Sequence, residues 1–298
     1  MLKKRFDLLL YFLIKSLFIL IACIPKSITG YLSRILGMLW YFFDKRHREL
    51  AILNLTHAFS GEMSEAEIKI LSKRNFINTV NIIFELARAY HWKAEKVPGF
   101  FRINGLENLK KAHNRKKGIL FLTGHVGNWE MSVHLKRLVG IDGSGVYRRL
   151  DSPSLNRYVL EKRQMTGCRM YPVKDAVMGI FYELGQGNFT GILCDQNAKR
   201  SQGVFVDFFG RKACTNKGLA QLSLATKAPV LPFFFLRDSG GFILEIGEEI
   251  PLVETGSKDA DIIVNTQSYT RVIEDVVRRY PDQWLWVHNR WKNRPLEC

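Results

Sequence analysis

From residue 118 onward, short apolar runs alternate with segments whose apolar residues recur at helical spacing. The runs are too short for ordinary helices, so we interpret them as buried strands. The apolar runs cover residues 118–123, 143–147, 190–194, 203–208, 229–236 and 242–246, and the helical patterns cover 128–139, 154–166, 174–186, 216–226 and 259–280. This alternation predicts an α/β fold, in which a mixed sheet is covered by helices.

A long helix is predicted ahead of this region. Ser64-Glu65-Ala66-Glu67 is a capping-box pattern, in which a serine and a glutamate three residues later satisfy each other's backbone N–H groups. Apolar residues at helical spacing continue to about Tyr90, and Pro98-Gly99 breaks the pattern. We expect this helix to pack its apolar face against the rest of the protein.

The N-terminus is strongly apolar. Lys3-Lys4-Arg5 precedes residues 8–24, which are apolar except for Lys15 and Ser16. A membrane-spanning helix needs roughly 20 apolar residues, so this segment is marginal as a span. It resembles a signal peptide, but it has no good small-x-small cleavage site and Pro25-Lys26 follows at once. We therefore predict a retained anchor, which either spans the membrane or lies along its surface.

The charges around this anchor predict its orientation. Basic residues follow the apolar segment as well as precede it, so the positive-inside rule gives no reason to send the body of the protein across the membrane. A second aromatic-rich stretch, residues 31–43, is either part of the anchor or an ordinary core-facing helix. We predict N-terminal membrane-anchoring or interfacial helices over residues 1–48, a second domain over 49–298, and a location on the cytoplasmic face of the membrane.

Composition restricts the possible partners. The 298 residues are 47% hydrophobic and carry a formal net charge of +16, which is typical of a folded protein with an acidic partner. That partner is nucleic acid, anionic lipid or an acidic carrier protein. Zinc-like spacings, RNP motifs and basic helices with heptads are absent from the sequence, so we expect no nucleic acid. The five scattered cysteines suggest neither a disulfide framework nor a metal site, and we expect neither a metal nor a cofactor.

One stretch carries the candidate chemistry, residues 123–130. His125 lies in a glycine-flanked turn after the first apolar run, and Asn128 is a plausible N-cap that places Glu130 in the first helical turn. Across such a junction the two side chains can converge, and a carboxylate on one imidazole nitrogen leaves the other free to take a proton. On its own, H-x4-E is more often a satisfied loop histidine and a helix-starting glutamate.

Further blocks, in order, resemble one enzyme family. They are His125-x4-Glu130, Val146-Tyr147-Arg148 followed by Asp151-Ser152-Pro153, Arg163, Cys194-Asp195-Gln196, Phe208-Phe209-Gly210-Arg211 with Thr215, Ala228-Pro229-Val230-Leu231-Pro232 and Trp286-Val287-His288-Asn289-Arg290-Trp291-Lys292. This ordered set is similar to that of the bacterial lipid A (late, Kdo-dependent) acyltransferases, within the lysophospholipid and glycerolipid acyltransferases. Arg149 departs from the pattern, because proline is usual there.

The resemblance implies a glycerol-phosphate-acyltransferase-like fold and a role for each block. It implies that His125 is a general base oriented by Glu130, that Arg148 and Arg163 hold phosphates, and that Asp195 belongs to the site. Arg211 and Thr215 would serve a phosphopantetheine or sugar phosphate, although Thr215 also reads as the N-cap of the helix over 216–226. Because His125 and Asp195 both follow strand-like runs, we expect them to share a cleft at the carboxyl ends of the strands.

The expected activity is O-acyl transfer from acyl carrier protein or acyl-CoA to a hydroxyl of a lipid A precursor or a related membrane glycolipid. Acyl chain length, the choice of donor, the acceptor lipid and the oligomeric state stay open. A second possibility is a thioesterase or lysophospholipase, with water replacing the acceptor. The sequence has no G-x-S-x-G elbow, which argues against a serine hydrolase. A non-enzymatic basic membrane-surface binder is the third possibility, and the intact His125 and Glu130 argue against it.

Overall fold

The computed structural model describes residues 2–239 and 241–295, with side chains from Arg5 onward. Cys298 and the side chains of Lys3 and Lys4, which entered the expectations above, lie outside this part. The α-helices are α1 (Leu2–Cys23), α2 (Lys26–Phe43), α3 (Lys45–Ala58), α4 (Glu65–Ala89), α5 (Leu106–His113), α6 (Leu135–Val139), α7 (Pro153–Arg163), α8 (Ala176–Gly185), α9 (Gly218–Thr226) and α10 (Lys258–Arg279). The capping box at Ser64 and Glu67 opens α4 as predicted.

A seven-stranded sheet forms the centre of the molecule, in the order β1-β9-β8-β2-β5-β3-β4, and β6 and β7 form a separate antiparallel pair. The strands are β1 (Phe101–Asn104), β2 (Ile119–Thr123), β3 (Gly143–Tyr147), β4 (Arg169–Pro172), β5 (Phe189–Leu193), β6 (Gly203–Phe208), β7 (Arg211–Asn216), β8 (Val230–Asp238) and β9 (Gly241–Ile246). Strands β8, β2, β5, β3 and β4 run parallel, whereas β9 pairs antiparallel with β8. The predicted mixed α/β sheet is confirmed.

Strand β2 lies in the middle of this sheet, with helices on both faces. All five of its residues are buried, and alternate side chains enter different cores. Leu120 and Leu122 pack in the core that also holds residues of α8, α9 and α10, while Ile119 and Phe121 pack with residues of α5 and α6. A strand buried on both faces is expected to be continuously apolar, which is why this run was readable from the sequence.

The N-terminal helices pack on the outside of this core. Helix α1 contacts α7 and α4, where Tyr11 joins a small buried cluster with Tyr90 and Tyr158. Most of the other α1 side chains are exposed although they are apolar, and Arg5–Cys23 is long and apolar enough to cross a membrane. Helix α2 packs on α4 and also exposes apolar side chains. The division of the chain at residue 48 stays a prediction.

The element boundaries differ from the prediction in two ways. Strands β1, β4 and β7 were missed, because their sequences mix polar and charged residues with apolar ones and show no continuous apolar run. The helix predicted over 128–139 is instead a 3₁₀ turn, Trp129–His134, followed by the five-residue α6. After the turn with His125, the chain therefore continues as a short 3₁₀ helix and not as a long α-helix.

Candidate active site

His125 lies in the turn that follows β2, at the carboxyl edge of the sheet. Gly127 shapes this turn: its φ is +66°, and a Cβ there would overlap the carbonyl oxygen of Phe235. Its N–H donates to the carbonyl of Gln283 at 2.9 Å. Only glycine adopts this conformation without strain and allows so close an approach of two backbones. The turn that carries His125 is thus held against β8 and the C-terminal segment.

Asp195, and not Glu130, is the hydrogen-bonding partner of His125. The Nδ1 atom of His125 lies 2.8 Å from Oδ1 of Asp195, and the backbone N–H of His125 donates to Oδ2 at 3.0 Å. Trp284 also donates its indole N–H to Oδ2, at 2.8 Å. The sequence-based pairing of His125 with Glu130 is therefore corrected, whereas the expected meeting of His125 and Asp195 is what the structure shows.

The register of the sheet explains this pairing. Strands β2 and β5 are parallel neighbours, and Thr123 at the end of β2 lies opposite Leu193 at the end of β5. His125 and Asp195 each follow two residues later, so the backbone brings them side by side. Neighbouring parallel strands place their carboxyl ends at the same edge, which is where ligands bind in open α/β sheets.

Burial and hydrogen bonding shift the pKa of both groups. Burial alone would raise the pKa of Asp195, but attraction to His125 and the three hydrogen bonds hold that pKa far below its usual range. Burial alone would lower the pKa of His125, but attraction to Asp195 and the bond between them outweigh it, so the pKa of His125 is raised. Since ionised Asp195 only accepts, Nδ1 of His125 carries the proton and Nε2 is the nitrogen that can accept one.

Glu130 is paired with Arg163 beside this histidine. Arg163, the last residue of α7, donates its Nε–H to Oε2 of Glu130 at 3.1 Å, and its NH2 group binds the other carboxylate oxygen. The two side chains are 23% and 13% exposed. Glu130 still acts on His125 through space, because its charge contributes to raising the pKa of His125 while Arg163 opposes it.

Asn128 does not cap a helix. Its side chain donates to Glu85 on α4 at 2.8 Å, and its backbone N–H donates to the carbonyl of Phe235 at 2.8 Å. Asn128 does stand at the N-cap position of the 3₁₀ turn, as predicted, but its side-chain oxygen accepts no N–H of that turn, so the predicted capping bond is not formed. The chain continues as a 3₁₀ turn from Trp129, and Glu130 lies in its first turn.

Thr215 lies inside β7, so its predicted role as the N-cap of α9 is wrong. Lys217 occupies that position. The Thr215 hydroxyl instead accepts from the guanidinium of Arg290, which also donates to the carbonyl of Cys214 at 3.0 Å. Arg290 is fully buried, and burial lowers its pKa to about 10. Thr215 thus helps to hold a buried cation.

Arg148 and Arg211 lie outside this group. The Arg148 side chain is 83% exposed and lies 3.7 Å from the carboxylate of Asp151. Arg211 is exposed at the start of β7. Within the described part of the chain, neither shares a hydrogen bond with His125, Asp195 or Glu130. Their predicted role in holding phosphates stays a prediction.

Two residues around His125 had been given no role in the sequence analysis. Gln196 places its amide nitrogen 3.4 Å from Nε2 of His125, and Trp284 binds Asp195 from 89 positions further along the chain. Gln196 belongs to the quoted block Cys194-Asp195-Gln196, which is the signal that could have found it. Nothing in the local pattern around Trp284 indicates a partner so distant.

Together these contacts make a histidine that can act as a base. A buried carboxylate fixes the ring and its tautomer, and stabilises the imidazolium that forms when Nε2 takes a proton. The same nitrogen can return that proton to a leaving group. Such an arrangement is suited to the transfer of an acyl group to a hydroxyl or to water.

Relatives with assigned activities are similar to this chain over most of its length. The lipid A biosynthesis palmitoleoyltransferase of Escherichia coli (strain K12) is 26% identical over 278 residues, which cover 92% of this chain and 88% of that protein. The lauroyltransferase of the same organism is 27% identical over 280 residues, covering 93% and 89%. Among solved structures, the 1-acyl-sn-glycerophosphate acyltransferase of Thermotoga maritima superposes only loosely, with a TM-score of 0.39 and 14% identity over 86% of this chain and 99% of that one.

The sequence pattern of one family matches nearly the whole chain. That family is described as bacterial lipid A biosynthesis acyltransferase, and the match covers residues 2–293. It includes the N-terminal helices, the sheet, the turn with His125, and the C-terminal segment that binds Asp195. The chain therefore belongs to the bacterial lipid A biosynthesis acyltransferase family and is an acyltransferase.

Proposed function

We propose that this acyltransferase moves a fatty acyl group from a thioester donor, acyl carrier protein or acyl-CoA, to a hydroxyl of a lipid A precursor or related membrane glycolipid. The observation that carries the proposal is the His125–Asp195 pair, which leaves Nε2 as the proton acceptor at the carboxyl edge of the sheet. Membership of the family supports the substrate class, because the relatives are named for lipid A biosynthesis.

In the proposed reaction, Nε2 of His125 takes the proton of the acceptor hydroxyl. The freed oxygen attacks the thioester carbonyl carbon, and a new C–O bond forms. When the tetrahedral intermediate collapses, the C–S bond breaks and the departing thiolate receives the proton held by Nε2. The products are an ester and a free thiol, and Asp195 stays ionised throughout, stabilising the imidazolium.

We assign different roles to the ion pair near His125 and to the exposed arginines outside the site. Glu130 and Arg163 form a mostly buried ion pair near His125, and the charge of Glu130 favours the imidazolium. Arg148 and Arg211 are exposed, and we propose them as ligands for phosphates of the acceptor or donor, because a guanidinium fork matches phosphate oxygens. The net charge of +16 suits an acidic carrier or an anionic membrane surface.

We further propose that α1 lies along the cytoplasmic face of a bacterial inner membrane instead of crossing it. Three contacts support this, because they attach α1 side-on to the body of the protein. The Asp7 carbonyl accepts from the Ser154 hydroxyl at 2.9 Å, the Tyr11 hydroxyl donates to Glu161, and the Phe18 ring stacks on Tyr90. A helix bound along this length keeps one face on the protein and offers its exposed apolar face to lipid.

Product analysis tests the proposed activity. The purified full-length protein is incubated with radiolabelled acyl carrier thioester, or with acyl-CoA, and with a lipid extract that contains a lipid A precursor. We expect label in a glycolipid, with one donor used faster than the other. Label in free fatty acid would show a thioesterase, and no labelled product from either donor would show that the chain lacks this chemistry. Both results would contradict the proposal.

A further inference from the structure

The C-terminal segment, residues 283–293, runs alongside the turn that carries His125. The carbonyl of Gln283 accepts the N–H of Gly127 at 2.9 Å, and the N–H of Leu285 donates to the carbonyl of His125 at 3.1 Å. These bonds form a short antiparallel bridge. The backbone from the carbonyl of His125 to the N–H of Gly127 is therefore held by residues from the other end of the chain.

The C-terminal segment also holds the loop that follows β5, in which Asp195 lies. The N–H of Asn197 donates to Nε2 of His288 at 3.0 Å. Asn293 returns two bonds: its N–H donates to the Asn197 side-chain oxygen at 3.2 Å, and its side-chain amide donates to the carbonyl of Ala198 at 2.7 Å. One segment thus contacts both halves of the His125–Asp195 pair.

Trp284 makes the bond closest to the chemistry. Its side chain is 1% exposed, and its indole N–H donates to Oδ2 of Asp195 at 2.8 Å. The backbone N–H of His125 donates to the same oxygen, while Oδ1 faces Nδ1 of His125. Because donors on Oδ2 determine the rotation of the carboxylate, they also determine where Oδ1 points.

We propose that Trp284 is a positioning residue for acyl transfer: its indole N–H fixes the rotation of the Asp195 carboxylate and thereby the orientation and tautomer of His125. The proposal rests on the proposed function, and it adds a residue outside the sequence motif that contains His125. Trp284 has no contact with substrate in this role. Its effect passes entirely through Asp195.

Trp286 provides a matched control. It packs against Trp284 with ring centroids 4.5 Å apart and ring planes at 85°, and it is equally buried. Its indole N–H also donates to an oxygen, but that oxygen is the carbonyl of Pro281, at 2.6 Å. Trp284→Phe and Trp286→Phe therefore remove the same atoms from the same core, and only the first removes a donor to Asp195.

Kinetics separate the two variants. Loss of a hydrogen bond to a buried charged group is expected to lower kcat of Trp284→Phe by about 10- to 100-fold, with KM for the donor nearly unchanged, while Trp286→Phe stays close to wild type. With the Asp195 carboxylate free to rotate, the hydrogen bond and the attraction that raise the pKa of His125 weaken. The acid limb of the pH–rate profile should therefore move to lower pH in Trp284→Phe alone. Equal losses in both variants, with unchanged profiles, would overturn the proposal.

Nitrogen NMR of histidine-labelled protein gives a readout that does not depend on acyl transfer. Wild type and Trp286→Phe should show neutral His125 with its proton on Nδ1, whereas Trp284→Phe should show a mixture of tautomers. An unchanged His125 signal in Trp284→Phe would contradict the proposal. A further outcome is that the tautomer of His125 differs between wild type and Trp284→Phe as expected, while wild type transfers no acyl group. In that case the proposed function fails, but the placement of Asp195 by Trp284 stands.

A second replacement covers the case in which Trp284→Phe does not fold. Benzothienylalanine, introduced site-specifically at 284 or at 286, keeps the size of the ring system and replaces the N–H by sulfur. The result expected is the same: loss of kcat and a displaced acid limb for position 284 only. Equal behaviour at the two positions would show that Trp284 acts by packing.

Discussion

The two ring nitrogens of His125 have different partners. Nδ1 donates to the buried Asp195 carboxylate at 2.8 Å, and Nε2 faces the amide of Gln196 at 3.4 Å. This asymmetry assigns the proton to Nδ1 and leaves Nε2 as the nitrogen that takes the hydroxyl proton in the proposed reaction. The orientation of the imidazole thus depends on a contact between two strand ends, and the glutamate five residues along the chain acts on it only through its charge.

The raised pKa of His125 predicts the pH dependence of acyl transfer. Burial opposes the imidazolium, but attraction to Asp195 outweighs burial and raises this pKa above the ordinary 6.5. A base must be neutral, so activity is present above the raised pKa and is lost as pH falls through it. We expect the acid limb of log kcat/KM to lie above pH 6.5. A limb at or below that value, in a protein that stays folded, would contradict the assignment.

Glu130→Gln should reduce stability as well as activity. It removes one partner of a mostly buried ion pair and leaves the Arg163 guanidinium without its counter-charge. Breaking such a pair typically costs about 3 kcal/mol of unfolding free energy. Urea unfolding in detergent measures this loss, and Lys69→Gln, which breaks the exposed pair of Lys69 with Glu65, should show no measurable change. Unchanged stability of Glu130→Gln would show that the ion pair does not hold the site together.

At the scale of elements, the strands that were predicted best are those whose local apolar pattern matches their buried position in the fold. Runs 118–123 and 229–236 contain β2 and most of β8, whose residues are almost all buried, and a strand buried on both faces needs apolar side chains. The segment predicted as one helix over 128–139 begins as a 3₁₀ helix, and Asn128 at its start donates to Glu85 of α4 and Phe235 of β8. Partners so distant in sequence cannot be read from a local window.

The same distinction applies to the candidate site. The motif identified His125, Glu130, Arg163 and Asp195, and the strand pattern placed His125 and Asp195 at one edge. Which carboxylate reaches the imidazole follows from the register of β2 and β5, and the sequence alone does not contain that register. The role of Trp284 could not be predicted from the sequence, since it depends on the path by which the chain after α10 comes back to Asp195.

The side-on attachment of α1 leads to a labelling experiment. If α1 crossed the membrane with the body in the cytoplasm, its N-terminal end would face the periplasm. In a variant whose native Cys23 and Cys298 are replaced by serine, we expect Arg5→Cys to react with a membrane-impermeant maleimide in spheroplasts only after the membrane is permeabilised. Lys45→Cys, on an exposed side chain at the start of α3, is the matched control on the cytoplasmic side. Labelling of Arg5→Cys in intact spheroplasts would establish a spanning helix and contradict the interfacial arrangement.

At the scale of the whole molecule, the positive net charge should determine the affinity for an acidic, carrier-linked donor. The chain carries 44 lysine and arginine residues against 28 aspartate and glutamate residues. Attraction between exposed charges is screened over about 8 to 10 Å at physiological salt. The apparent KM for a carrier-linked donor should therefore rise with salt concentration, with kcat little changed. A KM that does not depend on salt would favour a neutral or buried mode of donor recognition.

The measurement that tests the central claim most directly is the single-turnover rate of acyl transfer by Asp195→Asn. Asparagine keeps the shape of the side chain, but its amide group would donate to Nδ1 of His125 and force the proton onto Nε2, the nitrogen that must accept one. We predict that the rate falls by about 10²- to 10⁴-fold while the protein stays folded and binds the donor normally. A folded Asp195→Asn enzyme that transfers the acyl group at a near-normal rate would contradict the account.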